Sequence, residues 1–202
     1  MEMQEKMFTV VARFEEMEER CFRSSYKKML ELFKDRVEII AAEVGVYEGI
    51  NAKFMLLGCN KLKLYLVDDW SNIVVYTGGP RQSPETMQVI QGIAKFNLRT
   101  CCSDDRVTFT GKNSADSAKD FPDGFFDYVY IDGDHLYESV KLDLQLWYPK
   151  VKKGGVLGGH DVLMVEVSTA LDEFIRENKI DVNAWGKDIA EMPGRSDFWI
   201  LK

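Results

Sequence analysis

The chain reads as an α/β protein built on a mostly parallel sheet with helices on both faces. Three observations predict this. From Val37 onward, short apolar runs alternate with segments of helix length, the pattern of strands joined by crossover helices. Two of those runs, Tyr128 to Ile131 and Gly155 to Gly159, stop at the polar clusters Asp132-Gly133-Asp134-His135 and His160-Asp161, and the helix-length segment between them makes the pair a βαβ unit. The first run ends in a glycine-containing loop, and ligands of open parallel sheets bind at those carboxyl ends.

Taken in order, the elements begin with a helical extension over residues 1–36. Met7, Val10, Val11, Phe14, Met17 and Cys21 recur at helical spacing among Glu15, Glu16, Glu18, Glu19 and Arg20, and Tyr26, Met29, Leu30 and Phe33 continue the stripe. Such a stripe packs on the sheet, or serves as a dimer contact or a lid. Val37 to Val44 is apolar enough for a buried strand, and a short helix from Asn51 stops near Gly58. Leu62 to Val67 alternates into a second strand closed by Asp68-Asp69-Trp70. A polar loop from Ser71 to Ser83, with Gly78-Gly79-Pro80 inside it, leads into a helix from Pro84 to about Leu98. Then come the strand Val107 to Thr110, a helix around Asp116 to Phe121 and the two motif strands. A helix over Val165 to Asn178 and a last strand, Asp197 to Leu201, complete the pattern. With no repeat, low-complexity tract or linker, residues 37–202 form one core and the whole chain one domain.

Composition narrows the function classes. At 202 residues, 46% hydrophobic and 29% charged, the chain suffices for one well-buried core. Its net charge of −7 argues against nonspecific binding to nucleic acid or an anionic membrane and favours a small-molecule or sugar partner. The four cysteines, Cys21, Cys59, Cys101 and Cys102, lack metal-type spacing and fit reduced thiols in the cytoplasm. The stretch MEMQEKMFTVVARFEEMEER shows no basic region followed by an apolar core, and no stretch approaches membrane length in apolar residues, so a cytoplasmic location is expected.

The loop after the first strand, Glu43-x-Gly45-x-x-x-Gly49, is not the GxGxxG of dinucleotide sites, and no GK[ST] phosphate loop follows a strand. Its glycines still let backbone approach a ligand closely, and Glu43 adds negative charge, which suits a cationic ligand without a pyrophosphate. Asp68, at the end of the second strand, is placed to accept hydrogen bonds from ribose hydroxyls, and Lys112-Asn113-Ser114 follows the third strand.

The pieces AEVGVYEG, LYLVDDW, DYVYIDGDHLYESVKLDL and GGVLGGHD together resemble class I S-adenosylmethionine-dependent methyltransferases. Within that group the chain is similar to the small family that includes macrocin-type sugar O-methyltransferases and cephalosporin-hydroxylase-like proteins. The resemblance covers about Val37 to Leu201 and implies a Rossmann-like seven-stranded sheet of order 3-2-1-4-5-7-6, its last strand antiparallel. It places the methionine moiety of S-adenosylmethionine near Glu43, Gly45 and Tyr47, the ribose on Asp68, and the adenine near Asp69, Trp70, Asn113 and Ser114, with Gly49 and Asp132 also among the cofactor-binding residues. Trp70 is equally a core residue at a strand exit.

The same resemblance puts Asp132, His160 and Asp161 where metal-dependent relatives hold a divalent cation. Relatives with three oxygen ligands suit Mg²⁺, whereas the nitrogen of His160 favours Mn²⁺, Fe²⁺ or Zn²⁺. The alternative is that no ion binds and His160 donates to substrate. Asp132-x-x-His135 repeats the spacing of a metal aspartate and a general base, so His135 is the expected base, or else a cap on the next helix. Asp134 reads as an N-cap, and Asp143 is expected to face solvent or pair with Lys141 or Lys150. The function implied is O-methylation of a sugar or other small hydroxyl compound. Two alternatives remain: a non-heme iron oxygenase site at the Asp and His cluster, and a noncatalytic S-adenosylmethionine-binding protein. Selectivity would come from the N-terminal helix, the Ser71 to Ser83 loop and the Trp185 to Ser196 segment, with Arg81 and Arg195 clamping an anionic substrate such as a nucleotide sugar.

Overall fold

The structure is a computed structural model and describes residues 23–71, 83–189 and 196–202. The expected helix over Met7 to Cys21, most of the Ser71 to Ser83 loop with Arg81, and Arg195 lie outside the described residues.

Strands β1 (Ile39–Val44), β2 (Leu62–Val67), β3 (Val107–Phe109), β4 (Phe126–Ile131), β5 (Val151–Gly159), β6 (Trp185–Ile189) and β7 (Ser196–Leu201) form one sheet of order β3-β2-β1-β4-β5-β7-β6. β1 pairs in parallel with β2 and β4, β2 with β3, and β4 with β5, while β7 runs antiparallel to both β5 and β6. This is the Rossmann-like sheet that the resemblance implies. The central strands read as continuous apolar runs because helices cover both faces; every residue of β4 is buried, including Asp127. Asp127 is satisfied at the amino end of the sheet, accepting from Ile40 N at 2.9 Å and from Lys152 Nζ at 2.9 Å.

Helices α1 (Ser24–Leu32), α2 (Ile50–Gly58), α3 (Pro84–Arg99), α4 (Ser114–Lys119), α5 (Tyr137–Trp147) and α6 (Val165–Glu177) fill the two layers. One core contains Tyr26, Met29 and Phe33 of the α1 region with Met55, Ile90 and Tyr128; the other contains Val140, Trp147, Leu171 and Phe174. The described part of the N-terminal extension therefore packs on the sheet. α3 begins where its sequence says it should: Ser83 Oγ accepts from Thr86 N at 3.2 Å, Pro84 opens the first turn and Glu85 complements the helix dipole. α1 lies against β5 and β7, and its approach depends on Gly158, where an added Cβ would fall 2.4 Å from Ser25 Cβ.

β6 is the element that local pattern misses. Trp185 to Ile189 has no buried alternation, being half-buried with an exposed end, and is held in the sheet by its antiparallel ladder to β7. The segment expected to contribute to selectivity is, in its described part, sheet edge.

Candidate active site

Both clusters noted in the sequence meet at the carboxyl ends of β1, β2, β4 and β5. In the first half, Glu43 of β1 is buried and accepts from Asn51 Nδ2 at 2.7 Å through Oε1. Its other oxygen, Oε2, has no partner among the described residues, and neither does Asn51 Oδ1. Burial pushes the Glu43 carboxyl up to about 8, against the Asn51 hydrogen bond, and the nearby charge of Asp132 adds to the rise. A buried acid with a bare oxygen beside a bare amide oxygen is a receptor for a donor-rich cation.

Gly45 shapes the wall between the halves. Its φ is +86°, and a Cβ there would lie 2.1 Å from the Asp132 carbonyl oxygen. Backbone bonds fix the approach: Gly45 N donates to Val67 O at 2.9 Å and Asp132 N to Val44 O at 2.7 Å. Gly49, φ +71°, opens α2 and donates to Val46 O.

Asp68 sits at the end of β2, with its oxygens committed to backbone. Oδ2 accepts from Val46 N at 2.9 Å and Tyr47 N at 3.1 Å, and Oδ1 accepts from Trp70 N at 2.8 Å. It thus braces the glycine loop, with remaining lone pairs available to a hydroxyl. Trp70 is buried, tilts against Phe109 and donates from Nε1 to Tyr47 O at 2.9 Å, so it is a core residue that also pins the loop. Tyr47 itself is exposed at φ +51°. Asp69 accepts from Ser71 N at 3.0 Å and, with Lys112, Asn113 and Asp116, lines an open depression of about 510 Å³. Asn113 caps α4 by accepting from Asp116 N at 2.9 Å.

Ser114 is drawn elsewhere. Its hydroxyl donates to Asp143 Oδ1 and accepts from Trp147 Nε1 at 2.8 Å. Asp143, expected at the surface or against a lysine, is instead buried, and burial pushes it up to about 6 despite the Ser114 hydroxyl. Helix periodicity explains the difference: Asp143 shares the inward face of α5 with Val140, Leu144 and Trp147.

In the second half, Asp132, His135 and Asp161 converge, each offering a ligand atom within 4.8 Å of the others. His135 Nε2 lies 2.7 Å from Asp161 Oδ2 and 3.7 Å from Asp132 Oδ1. It is turned inward to these carboxylates; the helix start is supported by Asp134, which accepts from Leu136 N and from Ser139 Oγ at 2.6 Å. Burial opposes the charged imidazole, yet the hydrogen bonds and charges of Asp132 and Asp161 outweigh it and push His135 up to about 9. Burial likewise disfavours ionised Asp161, but the two histidines hold it well below the usual carboxylate range.

His160, expected to complete the metal set with Asp132 and Asp161, points differently. Its Nδ1 lies 3.1 Å from Asp161 Oδ1, and its Nε2 is 2.6 Å from Arg23 Nη1 at the start of α1. Burial lowers the His160 pKa, whereas Asp161 and Asp132 raise it overall. A guanidinium only donates, so a 2.6 Å contact requires a lone pair on Nε2 and a neutral ring; the contact geometry outweighs the net electrostatic preference. The three-residue group of Asp132, His135 and Asp161, two oxygens and one nitrogen, is what the described residues offer a divalent cation, and its imidazole favours Mn²⁺, Fe²⁺ or Zn²⁺ as the set with His160 would.

Comparison with known proteins follows the same geometry. Residues 42–162, from within β1 to just past Asp161, match the family described as "Methyltransferase domain", and that span is more than half of the chain. The chain belongs to this methyltransferase-domain family. Among curated proteins, the chain is 28% identical over 99 residues to the uncharacterized protein y4gI of Sinorhizobium fredii; the match takes in 43% of this chain and only 10% of that protein. Solved structures share the fold. An O-methyltransferase from Bacillus cereus in complex with SAH superposes with a TM-score of 0.59 at 14% identity, covering 88% of this chain and 80% of its own. Cofactor-bound Rv0187 from MTB gives 0.60 at 15%, with 95% and 88% covered, and the O-methyltransferase NovP gives 0.56 at 19%, with 88% and 77% covered.

Two functional candidates escaped the sequence reading of this methyltransferase domain. Asn51 stands eight residues after Glu43, in the first turn of α2, and that spacing at the end of a glycine loop was a usable signal. Arg23 lies 137 residues from His160 and carried no local signal.

Proposed function

We propose that the protein is an S-adenosylmethionine-dependent O-methyltransferase acting on a sugar or another small hydroxyl compound. The observation that carries the reading is the buried Glu43 and Asn51 pair, whose bare oxygens suit the ammonium of an amino-acid moiety and lie at the glycine loop of a methyltransferase domain. S-adenosylmethionine supplies an electrophilic methyl group on a sulfonium. Asp68 and the Asp69 to Asn113 depression are the proposed ribose and adenine positions, and the Gly45 wall fixes the donor loop beside Asp132.

At the acceptor side, Asp132, His135 and Asp161 gather the groups that handle a hydroxyl proton. With its carboxylate neighbours uncompensated, His135 keeps its proton up to about pH 9 and serves as a hydrogen-bond donor. Asp132 and Asp161 would hold a divalent cation, which would supply positive charge to acidify the acceptor hydroxyl and offset the carboxylates beside His135; in this reading His135 is left out of the ligand set and its ring nitrogen would take the hydroxyl proton. The iron oxygenase alternative draws on two imidazoles and one carboxylate, and the contact of His160 with Arg23 weighs against it. The protein is further proposed to work in the cytoplasm, on a small molecule rather than a nucleic acid. Cys59, Cys101 and Cys102 are free thiols, and no helix among the described residues is long and apolar enough to cross a membrane.

The test is calorimetric titration of wild type and Glu43→Gln with S-adenosylmethionine and S-adenosylhomocysteine, in EDTA and then in Mn²⁺. Wild type should bind both in EDTA. Loss of one charge-assisted hydrogen bond should weaken binding in Glu43→Gln by roughly 10- to 100-fold. Absence of binding to wild type under every condition overturns the reading.

A further inference from the structure

Arg23 stands outside every motif, at the residue preceding α1, and reaches across the sheet end to His160. The base from which it reaches is firmly held. Ser25 Oγ shares a 2.9 Å hydrogen bond with Tyr128 OH and is seated on Gly158, and Tyr26 OH donates to Met55 O at 2.7 Å. Beneath it, Asp197 of β7 is buried, accepts from Tyr130 OH at 3.2 Å and has Ser24 and Ser25 hydroxyls at 3.5 Å. A cation on a fixed helix start, over a buried carboxylate, has little freedom to wander.

A chain of contacts leads from this cation into the acid cluster. Arg23 Nη1 is 2.6 Å from His160 Nε2, His160 Nδ1 is 3.1 Å from Asp161 Oδ1, and Asp161 Oδ2 is 2.7 Å from His135 Nε2. Asp161 sits at φ +57°, off the end of β5, where regular strand bonding no longer fixes its carboxylate.

We propose that Arg23 is a positioning residue for the transfer site: by donating to Nε2 it holds His160 as the neutral Nδ1–H tautomer, which donates to one Asp161 oxygen and turns the other onto His135. Removing the guanidinium lifts the bar on a proton at Nε2, so that the ring is no longer confined to the neutral Nδ1–H tautomer. The role given to Asp161 and His135 rests on the proposed methyltransferase reading; the tautomer does not.

The protein has only two histidines, His135 and His160, so imidazole ¹⁵N correlation spectra of uniformly labelled protein contain two ring systems, assigned with His135→Gln. At neutral pH, without added metal or cosubstrate, wild-type His160 should show a protonated Nδ1, a bare Nε2 and an Nδ1 proton protected from exchange. In Arg23→Gln Nε2 should no longer be bare and the His135 resonances should shift; Arg23→Lys, which restores a donor, should recover the pattern in part. The proposal is overturned by a wild-type His160 protonated on Nε2 or on both nitrogens, or by an Arg23→Gln spectrum in which neither ring changes. Wild type alone decides the tautomer should Arg23→Gln fail to fold, and Arg23→Lys then reports on the guanidinium. Failure of cosubstrate binding with the tautomer intact would remove the methyltransferase reading and leave the Arg23 relay standing.

Discussion

Replacing Glu43 with glutamine should stabilise the ligand-free protein, and by an amount that depends on pH. The folded state raises Glu43 from its ordinary 4.5 to about 8 because the carboxylate is buried with one oxygen unpartnered. A raised acid binds its proton more tightly folded than unfolded. Its contribution is therefore fully present below about pH 4.5 and is lost as pH rises through about 8. At about 1.4 kcal/mol per pH unit across that interval, the full loss is roughly 5 kcal/mol, an upper figure since water reaches real buried acids. Glutamine keeps the shape and the Asn51 contact without that titration. Urea unfolding of wild type and Glu43→Gln, in EDTA and without cosubstrate, should give similar stabilities near pH 5 and a mutant advantage of about 2–5 kcal/mol near pH 8.5. The difference curve cancels other titrating groups. A difference that stays flat from pH 5 to 8.5 would refute the argument, since it would mean that Glu43 ionises in the folded state as it does in water.

The other expectations concern contacts between elements. Asp161→Asn should cost most stability between about pH 4 and 6.5, the cost falling away as pH rises to about 9, because Asp161 is depressed and His135 raised by the same pair; denaturation at pH 3.5, 6.5 and 9.5 checks the window. Ser114→Ala strands the Trp147 indole N–H and the buried Asp143 carboxyl, at about 1–3 kcal/mol for each lost partner. Since the Ser114 hydroxyl holds Asp143 down, the penalty should grow as pH rises above about 6, and a larger penalty at pH 5 than at pH 7.5 would contradict it. Gly158→Ala places a methyl 2.4 Å from Ser25 Cβ and should cost about 1–3 kcal/mol, with α1 amides exchanging faster than those of β4.

Most of the sheet was legible because its strands are buried on both faces and interrupted by helices, which leaves a one-dimensional signature in Ile39 to Val44 or Tyr128 to Ile131. β6 was not legible: Trp185-Gly186-Lys187-Asp188 has neither alternation nor an apolar run. Gly186 is there to admit Trp199 of β7, a cross-strand fact without local trace. The same division runs through the site. Asp132 and His135, or His160 and Asp161, are sequence neighbours at strand ends, where chemistry concentrates, and could be picked out directly. Which of them face one another, that Ser114 belongs to Asp143, and that His160 answers to Arg23 are tertiary facts spanning 29 to 137 residues. Asp143 shows how local reasoning misleads: a charged residue among lysines looks solvated until the inward face of its helix is known.

The near contact of Gly45 with the Asp132 carbonyl has a consequence for how such a protein diversifies. Under the proposed reading, the loop that grips the methyl donor and the loop that presents the acceptor share a partition one backbone thick, clamped by main-chain bonds on either side. Alignment of donor and acceptor is then a property of the skeleton, indifferent to most side-chain exchanges. Exposed residues near the acid cluster, such as Leu136, Leu163 and Val165, are free to drift toward new acceptors without disturbing that alignment. The partition itself tolerates no such drift: the first Cβ added at position 45 would push the two reacting partners apart.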